Sequence, residues 1–308
     1  QPMRQLAAFG KTKLLAPGES QNLTFTIGAE QMASYDDSGV TGCKNAYVLE
    51  AGVYRLYVGT DVRSAVLVNI EGKEGLEIPV CTVVQQLQEV LAPTEDFERL
   101  RPGRLLESGV YEAVKEAVPK QSISLKERIR ENLPKEMEIT GDKGITFAMV
   151  KDKKATLEEF VAQFGKEELA RIVRGEGMCN PMVTPGTASA FGGTAPSLYR
   201  YGIPAACTAD GPSGIRMDSG LQATQMPIGT MLAASWNREM LEDLYEWEGK
   251  ELLRNQIDTL LGPGMNIHRS PLNGRNFEYF SEDPYLTGIC AIAAVRGIGK
   301  TGAAAKIG

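Results

Sequence analysis

The stretch from Leu260 to Pro284 reads LLGPGMNIHRSPLNGRNFEYFSEDP and decides how the chain is interpreted. It starts inside an apolar run, residues 257–261, that predicts a short buried strand. From Gly262 onward it becomes a long polar loop in which glycines and prolines fix the turns. Seven charged and amide side chains fall within fifteen of its residues, and they are Arg269, Asn273, Arg275, Asn276, Glu278, Glu282 and Asp283. Such a loop at the exit of a buried strand indicates a functional site, and a solvated surface loop is the alternative.

The composition of the 308 residues is that of a globular protein large enough for two domains. The net charge is −6, and no block of lysines and arginines indicates a nucleic-acid or anionic-membrane partner. No apolar run approaches the ~20 residues that span a bilayer, and the sequence opens without a secretion leader pattern. We therefore expect neither a nucleic-acid nor a membrane partner, and a cytoplasmic location.

The cysteines and the single histidine limit which kinds of metal, disulfide or catalytic site the chain can contain. The five cysteines are widely spaced, and they are Cys43, Cys81, Cys179, Cys207 and Cys290. An odd number without a Cys-x-x-Cys pair predicts buried, reduced thiols and no disulfide framework or zinc site. His268 is the single histidine, which argues against a metal centre and against a Ser-His-Asp triad. We expect no metal and no cofactor, so carboxylates and arginines remain as the chemical actors.

Residues 1–84 predict an all-β domain. Alternating apolar and polar residues predict strands at 23–27, 53–59 and 64–70, separated by turn residues. Short strands at this spacing favour a β-sandwich. Because they are too few for a closed sandwich, we expect an incomplete domain whose N-terminal strands are missing. Residues 85–140, interrupted by several prolines, predict a linker with short helices.

Residues 141–308 alternate between predicted helices and strands. Thr156 and Glu159 form a capping-box pattern at the start of one helix, and longer helices are predicted at 237–255 and 285–298. Between the first of these helices and the helix at 237–255 lie a loop at 175–193, a predicted strand at 203–208 and an apolar run at 227–234. This alternation indicates an α/β domain with a parallel sheet, open or closed.

Asp210 is the first candidate site residue. It follows an apolar strand, and the glycines at 211 and 214 hold the chain in a tight loop behind it. A carboxylate at the C-terminal end of a barrel strand points into the barrel mouth, where it can accept hydrogen bonds from two hydroxyls of a polyol. Arg216 can pair with it or orient it. The alternative is an Asx turn in which Asp210 caps the next helix.

Arg275 and Glu278 are the second candidate. The rigid guanidinium fork can hold sugar hydroxyls or clamp a carboxylate, and Glu278, three residues later, can lock it in place. A purely structural ion pair is the alternative. We interpret His268 as a satisfied structural donor that supports the loop rather than as a ligand.

These residues lie in motifs that resemble glycoside hydrolase family 3, the β-glucosidase family. The motifs are ADGPSGIR at 209–216, LGPGMNIHRSPLNGRNFE at 261–278 and SEDP at 281–284, while RQLAAF at 4–9 and APGE at 16–19 are similar to the family's fibronectin type III-like module. The resemblance implies a multi-domain chain: an incomplete fibronectin type III-like β-sandwich followed by the N-terminal part of an α/β TIM-type barrel. This order is similar to the family's permuted form, with an α/β sandwich domain before residue 1 and the rest of the barrel after residue 308.

The resemblance also implies roles for single residues. Asp210, Arg216 and Arg275 match sugar-binding positions of subsite −1, whereas the nucleophilic aspartate and the acid/base glutamate fall outside this sequence. The implied function is part of a retaining β-glucosidase acting on β-glucosides or oligosaccharides, inactive as this fragment alone and completed by the rest of the same enzyme. A β-xylosidase of the same family and a non-catalytic carbohydrate-binding or scaffold remnant are the alternatives.

Overall fold

The computed structural model describes residues 4–89, 93–178 and 180–307. The chain divides into two compact units. Unit 1 comprises Gln1–Ala8 and Thr24–Lys135, and unit 2 comprises Phe9–Leu23 and Glu136–Gly308. These borders differ from the predicted ones, because residues 85–135 cluster with the preceding β region and residues 9–23 cluster with the C-terminal unit. Within the described residues, no helix has both the length and the apolar character required to cross a membrane.

Unit 1 consists mainly of short antiparallel strands. Its elements are α1 (Ala29–Met32), β1 (Ser34–Asp36), β2 (Ala46–Leu49), β3 (Gly52–Tyr54), β4 (Tyr57–Val58), β5 (Val66–Leu67), β6 (Leu76–Ile78), β7 (Thr82–Gln86), β8 (Glu98–Leu105), β9 (Tyr111–Ala117) and α2 (Leu125–Glu131). In the described part, β1, β2 and β7 form a three-stranded sheet, and β3–β6, β4–β5 and β8–β9 form three pairs. The side chains of Ala46 and Val48 on β2 are fully buried and belong to the core of unit 1.

The predicted strand at 23–27 is wrong. These residues belong to no strand or sheet, and Leu23 and Phe25 remain 40% and 48% exposed. Alternation defines which side chains share a face, but a strand forms only where a neighbour offers ladder hydrogen bonds. For the same reason the predicted strand at 53–59 is split into β3 and β4, and only β5 forms within 64–70.

The segment predicted as a linker with short helices contains a β-hairpin. β8 and β9 pair antiparallel, with Arg99 opposite Glu116 and an irregularity between Pro102 and Leu105. Arg99 Nε lies 2.7 Å from Glu116 Oε1 across the strands. Proline is tolerated in this ribbon because its missing N–H falls at an edge or bulge. Of the predicted helices, α2 alone forms in the described part of 85–140.

Unit 2 alternates helices with a four-stranded sheet. Its elements are α3 (Phe147–Lys151), α4 (Leu157–Val161), α5 (Lys166–Arg174), β10 (Ser189–Gly192), β11 (Ala205–Asp210), α6 (Gly229–Ala234), α7 (Arg238–Arg254), β12 (Thr259–Leu261), α8 (Pro284–Lys300) and β13 (Ala304–Ala305), with 3-10 helices at Pro196–Tyr201 and Asn276–Glu278. The sheet order is β10-β11-β12-β13. β11, β12 and β13 are parallel as predicted, whereas β10 lies within the predicted loop 175–193 and pairs antiparallel with β11.

Local sequence signals account for the helix ends. The predicted capping box between Thr156 and Glu159 forms at α4. Asn237 accepts a hydrogen bond from the backbone of α7, and Asp283 caps α8 with Pro284 as the first helical residue. The predicted helices at 237–255 and 285–298 are therefore confirmed to within two residues. Met240 on α7 and Ile292 on α8 are 40% and 44% exposed.

The two long helices pack closely on each other. A Cβ added to Gly297 of α8 would lie 2.3 Å from the carbonyl oxygen of Glu242 on α7, so the backbones approach where glycine leaves room. The four cysteines of the described chain are free. Cys207 and Cys290 are buried as predicted, but Cys43 and Cys81 are partly exposed. Cys179 lies outside the described residues.

Candidate active site

The site forms where two neighbouring parallel strands end at the same edge of the sheet. Asp210 is the last residue of β11, and it pairs in register with Leu261, the last residue of β12. The loops that follow touch each other: a Cβ added to Gly262 would lie 2.9 Å from the carbonyl oxygen of Gly211. The sheet register therefore brings together two loops whose sequences are about fifty residues apart.

The loop behind Asp210 depends on two glycines. Gly211 has φ 150° and Gly214 has φ 104°, and an added Cβ would lie 1.9 Å from Gly214 O in the first case and 2.3 Å from Thr224 O in the second. A side chain at either position would collide with backbone. The loop is also tied to α7, since Glu251 accepts hydrogen bonds from Thr224 N at 3.0 Å and from Thr224 Oγ1 at 3.1 Å.

Asp210 presents a half-exposed carboxylate at this edge, with 47% of its side chain accessible. Its Oδ1 accepts a 3.0 Å hydrogen bond from Gly211 N, and its Oδ2 lies 3.8 Å from Nη1 of Arg216. The interpretation of Asp210 as the cap of the next helix is wrong, because that helix, α6, begins at Gly229 after Ile228. The carboxylate keeps accessible acceptor capacity for a ligand.

Arg216 is held on both its backbone and its side chain. Its N–H donates to Asp210 O at 2.7 Å, and its Nε donates to Asp218 Oδ1 at 3.1 Å. The guanidinium remains 64% exposed and lies between the two aspartates. Sequence reasoning missed Asp218, which orients Arg216 from two residues away.

Arg275 and Glu278 form a bidentate ion pair. Nε and Nη2 of Arg275 donate to the two oxygens of Glu278 at 2.9 and 2.6 Å. Glu278 is nearly buried, at 9% exposure, whereas Arg275 is 68% exposed, so one edge of the fork is fixed and the rest faces outward. This hydrogen bonding and the charge of Glu278 raise the pKa of Arg275, with smaller contributions from Tyr279 and from Asp210. The Asp210 carboxylate is therefore within electrostatic range of Arg275.

The segment that carries Glu278 rests on α6. A Cβ added to Gly229 would lie 2.7 Å from Glu278 O, and Thr230 Oγ1 donates to Tyr279 O at 2.8 Å. The other flank is closed by His268 N, which donates to Ser281 O at 3.1 Å. The ion-pair loop is thereby braced against the scaffold at both sides.

The role of His268 as a supporting donor stays a prediction. Its Nε2 is buried and has no hydrogen-bond partner among the described residues. The ring lies tilted beside Tyr279, with the centroids 6.2 Å apart. Among the described residues, no group of three or more histidine, cysteine, aspartate or glutamate side chains is arranged to bind a metal ion.

Asp210 and Arg216 thus lie at and after the end of β11, and Arg275 and Glu278 lie in the loop after β12, within the stretch that the motifs marked. Residues 140–307 match the family described as Glycosyl hydrolase family 3 N terminal domain. The chain belongs to glycoside hydrolase family 3. Residues 1–62 match the Fibronectin type III-like domain, so both resemblances are confirmed.

Proteins named as β-glucosidases are similar to this chain over nearly its whole length. A β-glucosidase of Ruminococcus albus is 48% identical over 301 residues, which are 97% of this chain and 30% of that protein. Beta-glucosidase A of Butyrivibrio fibrisolvens is 37% identical over 325 residues, which are 96% of this chain and 36% of that protein. The crystal structure of a β-glucosidase from Paenibacillus barengoltzii is similar over 100% of this chain and 33% of its own, with 60% identity and a TM-score of 0.95. The chain spans about a third of the length of these proteins.

Proposed function

We propose that this chain supplies the sugar-binding half of subsite −1 of a retaining β-glucosidase, with unit 2 forming the N-terminal part of a TIM-type barrel. The proposal is supported by a half-exposed Asp210 carboxylate at the end of β11 and an exposed Arg275 guanidinium in the loop after β12, two strands that are neighbours in the sheet. The names of the family 3 relatives supply the substrate class, a β-glucoside or related oligosaccharide.

The proposed chemistry follows from the groups present. Asp210 accepts hydrogen bonds from hydroxyls of the terminal sugar, and Arg275 donates to neighbouring ones. Both interactions strengthen as the ring flattens toward an oxocarbenium-like transition state, so they raise the rate as well as the affinity. Glu278 keeps the Arg275 fork in one orientation, which reduces the entropy lost when the sugar binds.

The two catalytic carboxylates of a retaining mechanism are assigned to other parts of the enzyme. They must stand about 5 Å apart across the glycosidic bond. In the site described above, Glu278 is engaged by Arg275, and Asp218 is engaged by Arg216. We expect the purified 308-residue chain to show no hydrolysis of an aryl β-glucoside, measured by release of the phenol. Turnover by a rigorously purified sample would contradict this assignment.

Arg275→Lys in the intact enzyme tests the subsite directly. Lysine keeps the positive charge but loses the fork that Glu278 holds, so kcat/KM for an aryl β-glucoside should fall by about 10²-fold. The matched control is Arg269→Lys, a change at an exposed arginine of the same loop, for which we expect kcat/KM within about twofold. Equal, small effects of the two substitutions would refute a sugar-binding role for Arg275.

A carbohydrate-binding protein without catalytic activity is the second candidate. In the proposed site Asp210 binds sugar hydroxyls, whereas Asp218 and Glu278 orient arginines, so none of the three is assigned a catalytic step. A β-xylosidase is a third. Titration of the intact protein with glucose and with xylose, together with assays of both aryl glycosides, separates them. Binding without turnover favours the second candidate, and preferential turnover of the xyloside favours the third.

A further inference from the structure

Phe9 lies in the stretch that matches the fibronectin type III-like domain, yet it packs within unit 2. Its ring meets Trp236 edge to face, with centroids 5.1 Å apart and an interplanar angle of 88°. It meets Tyr285 in the same manner at 6.2 Å and 84°. Phe9 lines a small, mostly apolar groove together with Leu232, Trp236, Leu241, Leu286, Ile289 and Cys290.

A second contact fixes the same segment two residues later. Lys11 Nζ donates a 2.8 Å hydrogen bond to the carbonyl oxygen of Ser235, the residue that ends α6. A cation at this position satisfies a carbonyl that has no partner within the helix. The residue after it, Trp236, has φ 53°, a left-handed conformation in which glycine is usual. The packing of its ring on Phe9 offsets that conformational cost.

The opposite end of α6 touches the site. Gly229 packs so closely on the segment after Arg275 that an added Cβ would lie 2.7 Å from Glu278 O and 2.9 Å from Phe280. Thr230 holds Tyr279 O by a hydrogen bond. With six residues, α6 is roughly 9 Å long, and it connects the Phe9 groove directly to the segment that bears Glu278.

We propose that Phe9 and Lys11 form an anchor that positions the Arg275–Glu278 pair through α6. The anchor holds the C-terminal end of this short helix, and the N-terminal end supports the backbone of Glu278 and Tyr279. Phe9 and Lys11 are positioning residues, because they act on the pair through another element. The mechanical part of the proposal is independent of the sugar, whereas its effect on catalysis rests on the proposed function.

Hydrogen–deuterium exchange of the 308-residue chain tests the mechanical part. In Phe9→Ala we expect exchange to be at least about fivefold faster in α6 and in residues 276–282, with α5 and β2 unchanged. The matched control is Leu14→Ala, a change in the same segment at a side chain that is 96% exposed, and it should leave exchange unchanged. An unaltered rate at 276–282, or equal acceleration throughout the chain, would overturn the proposal.

Fluorescence reports on the groove itself. The chain contains two tryptophans, and Trp247 is 68% exposed on α7, so Trp247→Phe leaves Trp236 as the reporter. Adding Phe9→Ala should shift its emission to the red, and adding Leu14→Ala should not. If Phe9→Ala prevents folding, Lys11→Met is used in the exchange experiment instead. We expect it to accelerate exchange in α6 and in residues 276–282 by less than the roughly fivefold increase expected for Phe9→Ala. No increase with Lys11→Met would then refute the anchor.

Kinetics of the intact enzyme separate this inference from the proposed function. Phe9→Ala should raise KM for an aryl β-glucoside several-fold more than it lowers kcat. Phe9→Tyr, which keeps an aromatic ring at this position, should have KM and kcat close to those of the wild type. Faster exchange at 276–282 together with normal kinetics of both Phe9→Ala and Arg275→Lys would leave the anchor standing and refute the subsite. A large effect of Arg275→Lys with no change in Phe9→Ala would refute the anchor and leave the subsite standing.

Discussion

Asp210→Ala in the intact enzyme is expected to lower kcat/KM for an aryl β-glucoside by several orders of magnitude, about 10³-fold or more. In the proposed subsite, the substitution removes an acceptor for the sugar hydroxyls, whose hydrogen bonds are proposed to strengthen in the transition state. The fold should tolerate the change, since the carboxylate is 47% exposed and its nearest cation is 3.8 Å away. The measurement is steady-state kinetics combined with thermal unfolding of the same variant.

Asp218→Ala is the matched control for Asp210→Ala. Asp218 lies in the same loop and bonds to Arg216, but it is not at the end of the strand. We expect it to lower kcat/KM by about tenfold at most, through a less ordered Arg216. Near-normal turnover by Asp210→Ala would rule out the role of this carboxylate, and so would equal losses in the two variants.

Glu248→Gln is expected to make the folding stability of the chain less dependent on pH. Glu248 on α7 is only 3% exposed, and among the described residues neither of its carboxylate oxygens has a hydrogen-bond partner. Burial, with a smaller contribution from the negative charge of Glu251, raises the pKa of Glu248 from 4.5 to about 8. The folded protein therefore holds this proton over a range in which the unfolded chain has released it.

The sign of the effect follows from that difference. Between about pH 4.5 and pH 8 the folded state binds one proton more, so the free energy of unfolding falls by about 1.4 kcal/mol per pH unit. Stability from this group is complete below about pH 4.5 and is lost as pH rises through about 8. Over the whole range the loss is on the order of 5 kcal/mol.

Urea denaturation of the wild type and of Glu248→Gln from pH 4.5 to pH 9 measures this effect. The two should be similar at pH 4.5, and the variant should be more stable by a few kcal/mol at pH 9. Glu239→Gln, at an exposed position of the same helix, is the matched control and should keep the wild-type pH dependence. Parallel curves for wild type and Glu248→Gln would show that Glu248 is ionised in the folded protein at neutral pH.

Sequence signals that act within a few residues determined the helix ends and the point where β11 ends. The caps at Asn237 and Asp283, and the proline after Asp283, fixed the two long helices within two residues. The end of the apolar run before Gly211 placed Asp210 at the exit of β11. The family followed from motifs in the loops after β11 and β12, where glycines and polar groups leave little choice of residue.

The tertiary structure alone decided which distant segments meet. Ladder partners turned a predicted linker into the β8–β9 hairpin and left residues 23–27 outside any sheet. The β11–β12 register brought together the loops that follow Asp210 and Leu261, and packing placed Phe9 against Trp236 and buried Glu248 without a hydrogen-bond partner among the described residues. The physical reason is that periodicity and capping depend on neighbours within a few residues, whereas pairing and burial depend on which surfaces the folded chain brings together.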